Sequence, residues 1–257
     1  MSNPIPGLRG TSQQALYPFT RIVSCNTLVT TFMNGSEQRF VSQVPLTHFV
    51  LPMSFLSDTD RTNYLSWISG VKGQFAQNIT LTLGTTTYSN LTWMDDSLDL
   101  TSKMSSGYYD QQIVLRQVQN GSYTVPSGTF TSYPTFSWGG SVQLPFEQLS
   151  NYMTGVVDQP SGPRYAYSWY GAGLTNFPTG FLRTWKLSYP LLSDADVATL
   201  ENFFRGCQGR YLSFSFTDPV DSTTYTHVRF NQDDLQIKYL TKNQSTTEVT
   251  LLQTFGS

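Results

Sequence analysis

Charge is scarce in this sequence. Only 12% of its 257 residues are Asp, Glu, Lys or Arg, about half the usual share of roughly 25% in soluble domains. The 15 Lys and Arg nearly cancel the 17 Asp and Glu, for a net charge of -2, and no basic block occurs. That excludes a surface that holds nucleic acid by displacing counterions, which needs clustered cations. Two explanations remain for so little charge: solubility through Ser, Thr, Asn and Gln, or a surface covered by other subunits. Cysteine is equally sparse. Cys25 and Cys207 are too few and too distant in sequence for a disulfide framework or a metal site, and read as buried thiols of a reducing compartment. No apolar run reaches the roughly 18 residues of a membrane span, and Met1 to Thr11 lacks the pattern of a signal peptide. Synthesis in the cytoplasm is the expectation. What is plentiful is aromatic: 14% Phe, Trp and Tyr, enough to fill large cores and to exclude disorder.

The most informative feature is an internal repeat. Leu56 to Phe75 (LSDTDRTNYLSWISGVKGQF) matches Leu192 to Tyr211 (LSDADVATLENFFRGCQGRY) without a gap, Asp58 falling on Asp194, a shift of 136. Leu56/192, Ser57/193, Asp58/194, Asp60/196, Gly70/206 and Gly73/209 are identical, where chance gives roughly one or two identities. Upstream, Phe49, Leu51 and Met53 fall on Trp185, Leu187 and Tyr189. Downstream, with one residue inserted, Tyr88, Leu91, Trp93, Asp96 and Leu98 fall on Tyr225, Val228, Phe230, Asp233 and Leu235. The chain therefore reads as a tandem duplication.

Each copy has the same physical grammar. Alternation through Leu46–Leu51 and Thr184–Tyr189 predicts a strand with one buried face. Ser57 with Asp60, and Ser193 with Asp196, form capping boxes that start helices near 58–69 and 194–205. Tyr64, Trp67, Ile68 and Val71, like Val197, Leu200, Phe203, Phe204 and Cys207, follow the spacing of one apolar helix face. Gly70 and Gly206, then Gly73 and Gly209, are read as the permissive backbone that ends each helix. Strands follow through 75–83, 88–94 and 111–118, and through 211–216, 225–230 and 248–254. Residues 22–32 and 165–170 also have strand composition. The expected fold class is mainly β (α+β): a duplicated small antiparallel sheet or barrel domain with one short helix per copy. The expected layout is an extended tail over 1–16, copy 1 over 17–118, an aromatic Gly/Ser/Pro arm or linker over 119–143, and copy 2 over 144–257.

Catalytic chemistry has few candidates. His48 and His227, the only histidines, lie in alternating strands and in no ligand or triad spacing. Asp95–Asp96 and Asp233–Asp234 have the residue types for Ca²⁺ binding or glycoside hydrolysis, but each pair follows a strand where turn-forming Asp is common. Trp138, Trp169 and Tyr170 have rings suited to stacking on sugars, or to a core or subunit interface. Asn-x-Ser/Thr triplets at Asn78, Asn90, Asn120 and Asn243 carry no weight without a secretory route. No catalytic residue, cofactor or metal is assigned, and the chain is not expected to be an enzyme.

The second copy carries a more specific pattern. Arg183-Thr-Trp185-Lys-Leu-Ser-Tyr-Pro-Leu-Leu precedes a helix ending Asn202-Phe203-Phe204-Arg-Gly-Cys-Gln-Gly209-Arg210. Then come Phe214-Ser-Phe216-Thr-Asp218-Pro219 and Tyr225-Thr-His-Val-Arg229-Phe230. Over about residues 181–235 this resembles the minor tail and distal-tail proteins of long-tailed bacteriophages and gene-transfer agents. The first copy departs from the pattern, with Gln74-Phe75 in place of Gly-Arg and no Asp-Pro turn. The resemblance implies a virion structural protein made in the host cytoplasm: a homo-oligomeric ring, trimer or hexamer, in the tail tip, joining the tail tube to the hub or baseplate. In related tail-tube folds the sheets of neighbouring subunits combine around a lumen, with helices outside. On this reading edge strands pair between protomers and the central arm contacts a neighbour. The alternative is a carbohydrate- or receptor-binding accessory domain of the virion.

Overall fold

The computed structural model describes residues 3–8, 14–15, 17–31, 37–71, 78–84, 86–95, 101–102, 109–117, 125–138, 141–142, 159–160, 181–182, 184–218 and 222–254. The protein is mainly β, with one large, mostly antiparallel sheet and two helices among the described residues. The first half holds β1 (Asn3–Pro4), β2 (Phe19–Thr31), β3 (Glu37–Leu56), α1 (Asp58–Val71), β4 (Ile79–Leu83), β5 (Thr86–Trp93), β6 (Thr101–Ser102) and β7 (Tyr109–Gln117). The two-residue strands β8 (Ser137–Trp138), β9 (Ser141–Val142), β10 (Gln159–Pro160) and β11 (Phe181–Leu182) follow. The second half closes with β12 (Thr184–Leu192), α2 (Asp194–Cys207), β13 (Phe214–Thr217), β14 (Thr224–Phe230), β15 (Asp234–Thr241) and β16 (Gln244–Gln253).

The two halves repeat each other strand pair by strand pair. Phe49, Leu51 and Met53 of β3 face Leu115, Ile113 and Gln111 of β7; Trp185, Leu187 and Tyr189 of β12 face Leu251, Val249 and Thr247 of β16. The register slips at the same place in both, between Met53 and Leu56 and between Tyr189 and Leu192. Trp93 of β5 faces Leu115 as Phe230 of β14 faces Leu251. In β4 and β13 the correspondence runs at 135 rather than 136, so Leu81 matches Phe216 and Leu83 matches Asp218. Both strands pair with the next through the same slip, and Thr82–Thr87 and Thr217–Thr224 make equivalent hydroxyl bonds of 3.2 and 3.0 Å. A side-chain period of two makes such registers strongly specified wherever one face is buried.

The repeat also reaches into segments that sequence reading assigned to a tail and a linker. Ile5 N–H donates to the Thr80 carbonyl at 3.1 Å, and Tyr133 N–H donates to the Ser215 carbonyl at 2.8 Å. In both copies a short segment runs parallel along the outer edge of β4 or β13. Ile5 and Leu8 are buried in one copy, as Phe136 is in the other, and Tyr64 Oη donates to the Pro6 carbonyl. The tail over 1–16 and the arm over 119–143 therefore require correction: residues 3–8 and 131–136 are core-building first elements of the two copies. Apolar side chains on these segments hold them against β4 and β13, so part of each edge expected to pair between protomers is already occupied.

The compact units also divide differently from the copies. One unit comprises Met1–Val23, Leu46–Thr124 and Gln236–Gln244; the other comprises Ser24–Pro45, Val125–Leu235 and Ser245–Ser257. The physical reason is strand length. β2 and β3, 13 and 20 residues long, outrun one unit, so their distal halves pack in the second. β15 does the same in the other direction. In the first unit Phe49, Leu51, Met53, Tyr64, Leu91, Trp93, Ile113 and Leu115 form the core beneath α1. Tyr239, brought in by β15, stacks on Phe19 at 4.7 Å and lies 5.5 Å beneath the Arg21 guanidinium.

Both helices begin with a reciprocal capping box. Asp60 N–H donates to Ser57 Oγ at 3.2 Å while Ser57 N–H donates to the Asp60 carboxylate at 3.2 Å; Ser193 and Asp196 repeat the pair at 3.1 and 3.4 Å. The glycines need reassignment. Gly70 and Gly206 lie inside the helices, and α2 ends at Gln208, which takes the left-handed conformation (φ 55°) ahead of Gly209 (φ 63°). Gly73 lies outside the described residues. Gly206 is required by space, because a β-carbon there would meet the Phe130 ring at 2.3 Å, whereas at Gly70 nothing lies within 4 Å. Accordingly Gly206→Ala is expected to lose about 1–3 kcal/mol of stability through overpacking. Gly70→Ala should gain up to about 1 kcal/mol in a helix interior, and Ser57→Ala or Ser193→Ala should each lose about 1 kcal/mol. Urea melts of the four variants, read by circular dichroism, check the order.

Candidate functional site in the second copy

The residues of the tail-protein pattern converge on two adjoining places in the second unit. The first is an aromatic cluster under α2. Phe203 stands 5.1 Å from Phe214 and 5.9 Å from Phe230, Phe204 lies 4.9 Å from Phe230, and most of these rings meet edge to face, a favoured geometry for aromatic quadrupoles. Tyr133 inserts from the central segment, within 5.8 Å of Phe203, Phe214 and Phe216. Its hydroxyl shares a hydrogen bond of 3.1 Å with Tyr189. Burial drives both phenol pKa values upward. Of the arm-or-linker segment, Phe130, Tyr133 and Phe136 thus pack in this core.

Beside this cluster, Trp185 packs on Phe216 and Tyr225 at 5.3 and 5.1 Å, and its indole N–H donates to the Asp218 carboxylate at 2.9 Å. Both residues are buried. Asp218 also closes its own turn: its N–H donates to the Thr223 carbonyl, while Ser222 N–H donates to the Asp218 carbonyl. Pro219 lies outside the described residues. The corresponding residues of copy 1 are Phe49 and Leu83, so the indole donor and the carboxylate acceptor occur together in one copy and are both missing in the other. An unpartnered buried N–H costs free energy that a matched apolar pair avoids.

The second place is a seat for the distal half of the β2–β3 hairpin. Gly209 has no room for a side chain: a β-carbon would lie 2.9 Å from Cys25 Cβ and 2.7 Å from Asp233 Oδ1. Asp233 binds the arrangement together. Its carboxylate accepts from Thr27 N–H at 3.1 Å and Arg210 N–H at 3.2 Å, and its carbonyl accepts from Cys25 N–H at 2.7 Å. Thr27 Oγ1 reaches the Gln208 carbonyl at 3.3 Å. Two guanidiniums then grip the chain leaving the helix: Arg39 donates to the Arg210 carbonyl at 2.8 Å, and Arg229 donates to the Tyr211 carbonyl. Arg39 is neutralised by Glu37. Burial, and then the nearby Arg39 charge, lower the Arg229 pKa.

In the sequence Asp233 reads as a turn residue, and only its identity with Asp96 in the repeat hints at more; its bonds to Thr27 and Cys25 are remote in sequence. His48 lies opposite Arg116 in β3–β7, far in the chain from His227, which is exposed with φ 57°. Asp95 is exposed, while Asp96, Trp169, Tyr170 and the Trp138 side chain lie outside the described residues. Among the described residues there is no group of three or more His, Cys, Asp and Glu suited to a metal, and no helix long and apolar enough to cross a membrane. No family model matches the chain, and no curated protein matches it.

Two outcomes are expected from this geometry. Asp218→Ala should cost about 1–3 kcal/mol by stranding the buried indole N–H. Trp185→Phe with Asp218→Leu, the Phe49/Leu83 combination, should cost less than the sum of its single changes in a double-mutant cycle. Cys25 and Cys207 are free, and burial pushes both thiols from 9.0 up to about 12, with Asp233 adding to the rise at Cys25 and Cys25 to that at Cys207. Because the folded state holds these protons more tightly, their stabilising contribution is complete below about pH 9 and is lost as pH rises towards 12. Chemical denaturation between pH 8 and 11 should show falling stability, and Cys207→Ala should flatten that slope.

Proposed function

We propose that the protein is a structural component of a bacteriophage tail tip, forming an oligomeric ring that joins the tail tube to the distal hub or baseplate. Its place is the virion tail, after synthesis in the host cytoplasm. The observation that carries this reading is the two-sidedness of the sheet. One face of β12 and β16 (Trp185, Leu187, Val249, Leu251) is buried. The other carries Lys186 and Glu248, paired with each other at 3.0 Å and both exposed. On β2 and β3 of the same unit, Asn26, Leu28, Thr30, Gln38 and Phe40 are exposed, Leu28 and Phe40 by 58% and 53%. A broad, weakly charged sheet surface with apolar side chains on it suits burial against other subunits. It accords with the resemblance of residues 181–235 to tail proteins whose sheets combine around a lumen. It also gives the low charge of the chain a physical purpose, since desolvating few charges lowers the cost of covering a large surface.

Native mass spectrometry of the purified chain, alone and with tail-tube and hub proteins, is expected to show a closed trimer or hexamer. A monomer under both conditions overturns the reading. Electron microscopy of assembled particles would locate the ring.

A further inference from the structure

One row across the sheet of the first unit holds donors that nothing in the chain accepts from. Arg116 of β7 lies directly opposite His48 of β3 on one side and Thr92 of β5 on the other, and residues so paired share a face of the sheet and touch. That face is turned away from the core, because the alternating neighbours Phe49, Leu91 and Leu115 are fully buried. His48, Thr92 and Arg116 are half-buried, as are Val50 and Val114, which form the neighbouring pair on the same face. Among the described residues the Arg116 guanidinium has no hydrogen bond or ion pair, and the Thr92 hydroxyl is buried without a partner. A cation and a hydroxyl partly withdrawn from water beside valines are costly until an acceptor meets them.

The second copy shows what the same row looks like when it is satisfied. Its three positions are Thr184, Leu252 and Arg229, again directly opposite one another on β12, β16 and β14. Leucine stands where Arg116 stands, and the arginine of the row is used inside the chain, Nε donating to the Thr254 hydroxyl at 3.3 Å and the guanidinium also donating to the Tyr211 carbonyl. The first copy therefore keeps its cation for something outside itself. A guanidinium fork beside a hydroxyl fits a carboxylate, whose two oxygens accept from both, and one positive charge matches one negative charge.

The distribution of charge indicates where that carboxylate comes from. By sequence, the residues of the first unit include eight Lys and Arg against six Asp and Glu, and those of the second seven against eleven. Like units of two copies repel and unlike units attract. Among the described residues of the second unit the exposed carboxylates are Asp194, Asp234 and Glu248. Glu248 is paired with Lys186, and Asp194 lies in the first turn of α2, where a negative charge is already stabilised. Asp234, at the start of β15, has no hydrogen bond or ion pair to its carboxylate; Gln232 reaches only its backbone carbonyl.

We propose that Arg116, with Thr92 and His48 beside it, binds the Asp234 carboxylate of a second copy of this chain. This inference rests on the ring assembly proposed above and names a contact that builds it. With the cation on one unit and the carboxylate on the other, the contact is head-to-tail, and it closes into a ring when the rotation per subunit permits.

The test is charge reversal in the full chain, read by native mass spectrometry and sedimentation in the presence of tail-tube and hub proteins. Arg116→Glu and Asp234→Arg are each expected to weaken subunit association by roughly 30-fold or more while keeping the wild-type melting curve, because neither side chain is bonded within its own chain. The doubly reversed chain is expected to form the ring again, and an equal mixture of the two single variants to form only heterodimers, since one interface of that pair is complementary and the next is not. If the melt shows that a reversed variant has lost its fold, Arg116→Gln and Asp234→Asn take their place, with the double variant expected to associate no more weakly than either single one. A wild-type ring with undisturbed variant rings overturns this inference and leaves the ring reading standing, as does a folded doubly reversed chain that stays dissociated. A wild-type monomer, alone and with tail partners, overturns both.

Discussion

The packing of one capped helix onto the apolar face of one antiparallel strand pair is the constraint on which each copy depends. β3 against β7, and β12 against β16, present alternating large side chains at the same register and slip at the same point. A strand must end and a helix begin immediately after that slip. The Ser–Asp box makes the change abrupt by satisfying backbone donors that a helix start otherwise leaves orphaned. The helix then lays Tyr64 and Val71, or Val197, Leu200, Phe203, Phe204 and Cys207, on the sheet.

Where the copies diverge, the changes come in matched sets. Phe49 and Leu83 become Trp185 and Asp218, an apolar pair becoming a hydrogen-bonded one. Trp67 and Trp93, stacked at 5.8 Å, become Phe203 and Phe230, and the volume given up is met by Tyr133, whose ring lies 5.7 and 6.2 Å from theirs. Ile5 occupies Tyr133's place in the first copy. Interiors packed to crystal density leave little scope for altering one member of such a set alone.

Much of this was legible in the residues because the signals are local. A capping box spans four positions, an apolar helix face repeats every three or four, and a half-buried strand alternates, so both helices and most strands could be placed. The hidden parts depend on partners remote in sequence. Gly206 reads as a helix terminator until Phe130 is seen above it. Asp233 reads as a turn residue until Thr27 and Arg210 are found on its carboxylate, 206 and 23 residues away. The 3–8 and 131–136 segments share almost no residues, and only their common parallel bonds to β4 and β13 reveal that they are one element. β15 is not among the expected strands, because the Asp233–Asp234 pair before it reads as a turn although Leu235, Ile237 and Tyr239 alternate.

The division of the long strands between units has a consequence for the order of synthesis. The first unit includes Gln236–Gln244, and the second includes Ser24–Pro45. Neither can be completed from its own half of the gene product. The first must wait, with part of its apolar face uncovered, until residues 236–244 have left the ribosome. The duplication therefore did not yield two contiguous modules; each unit takes in a segment from the other half of the sequence.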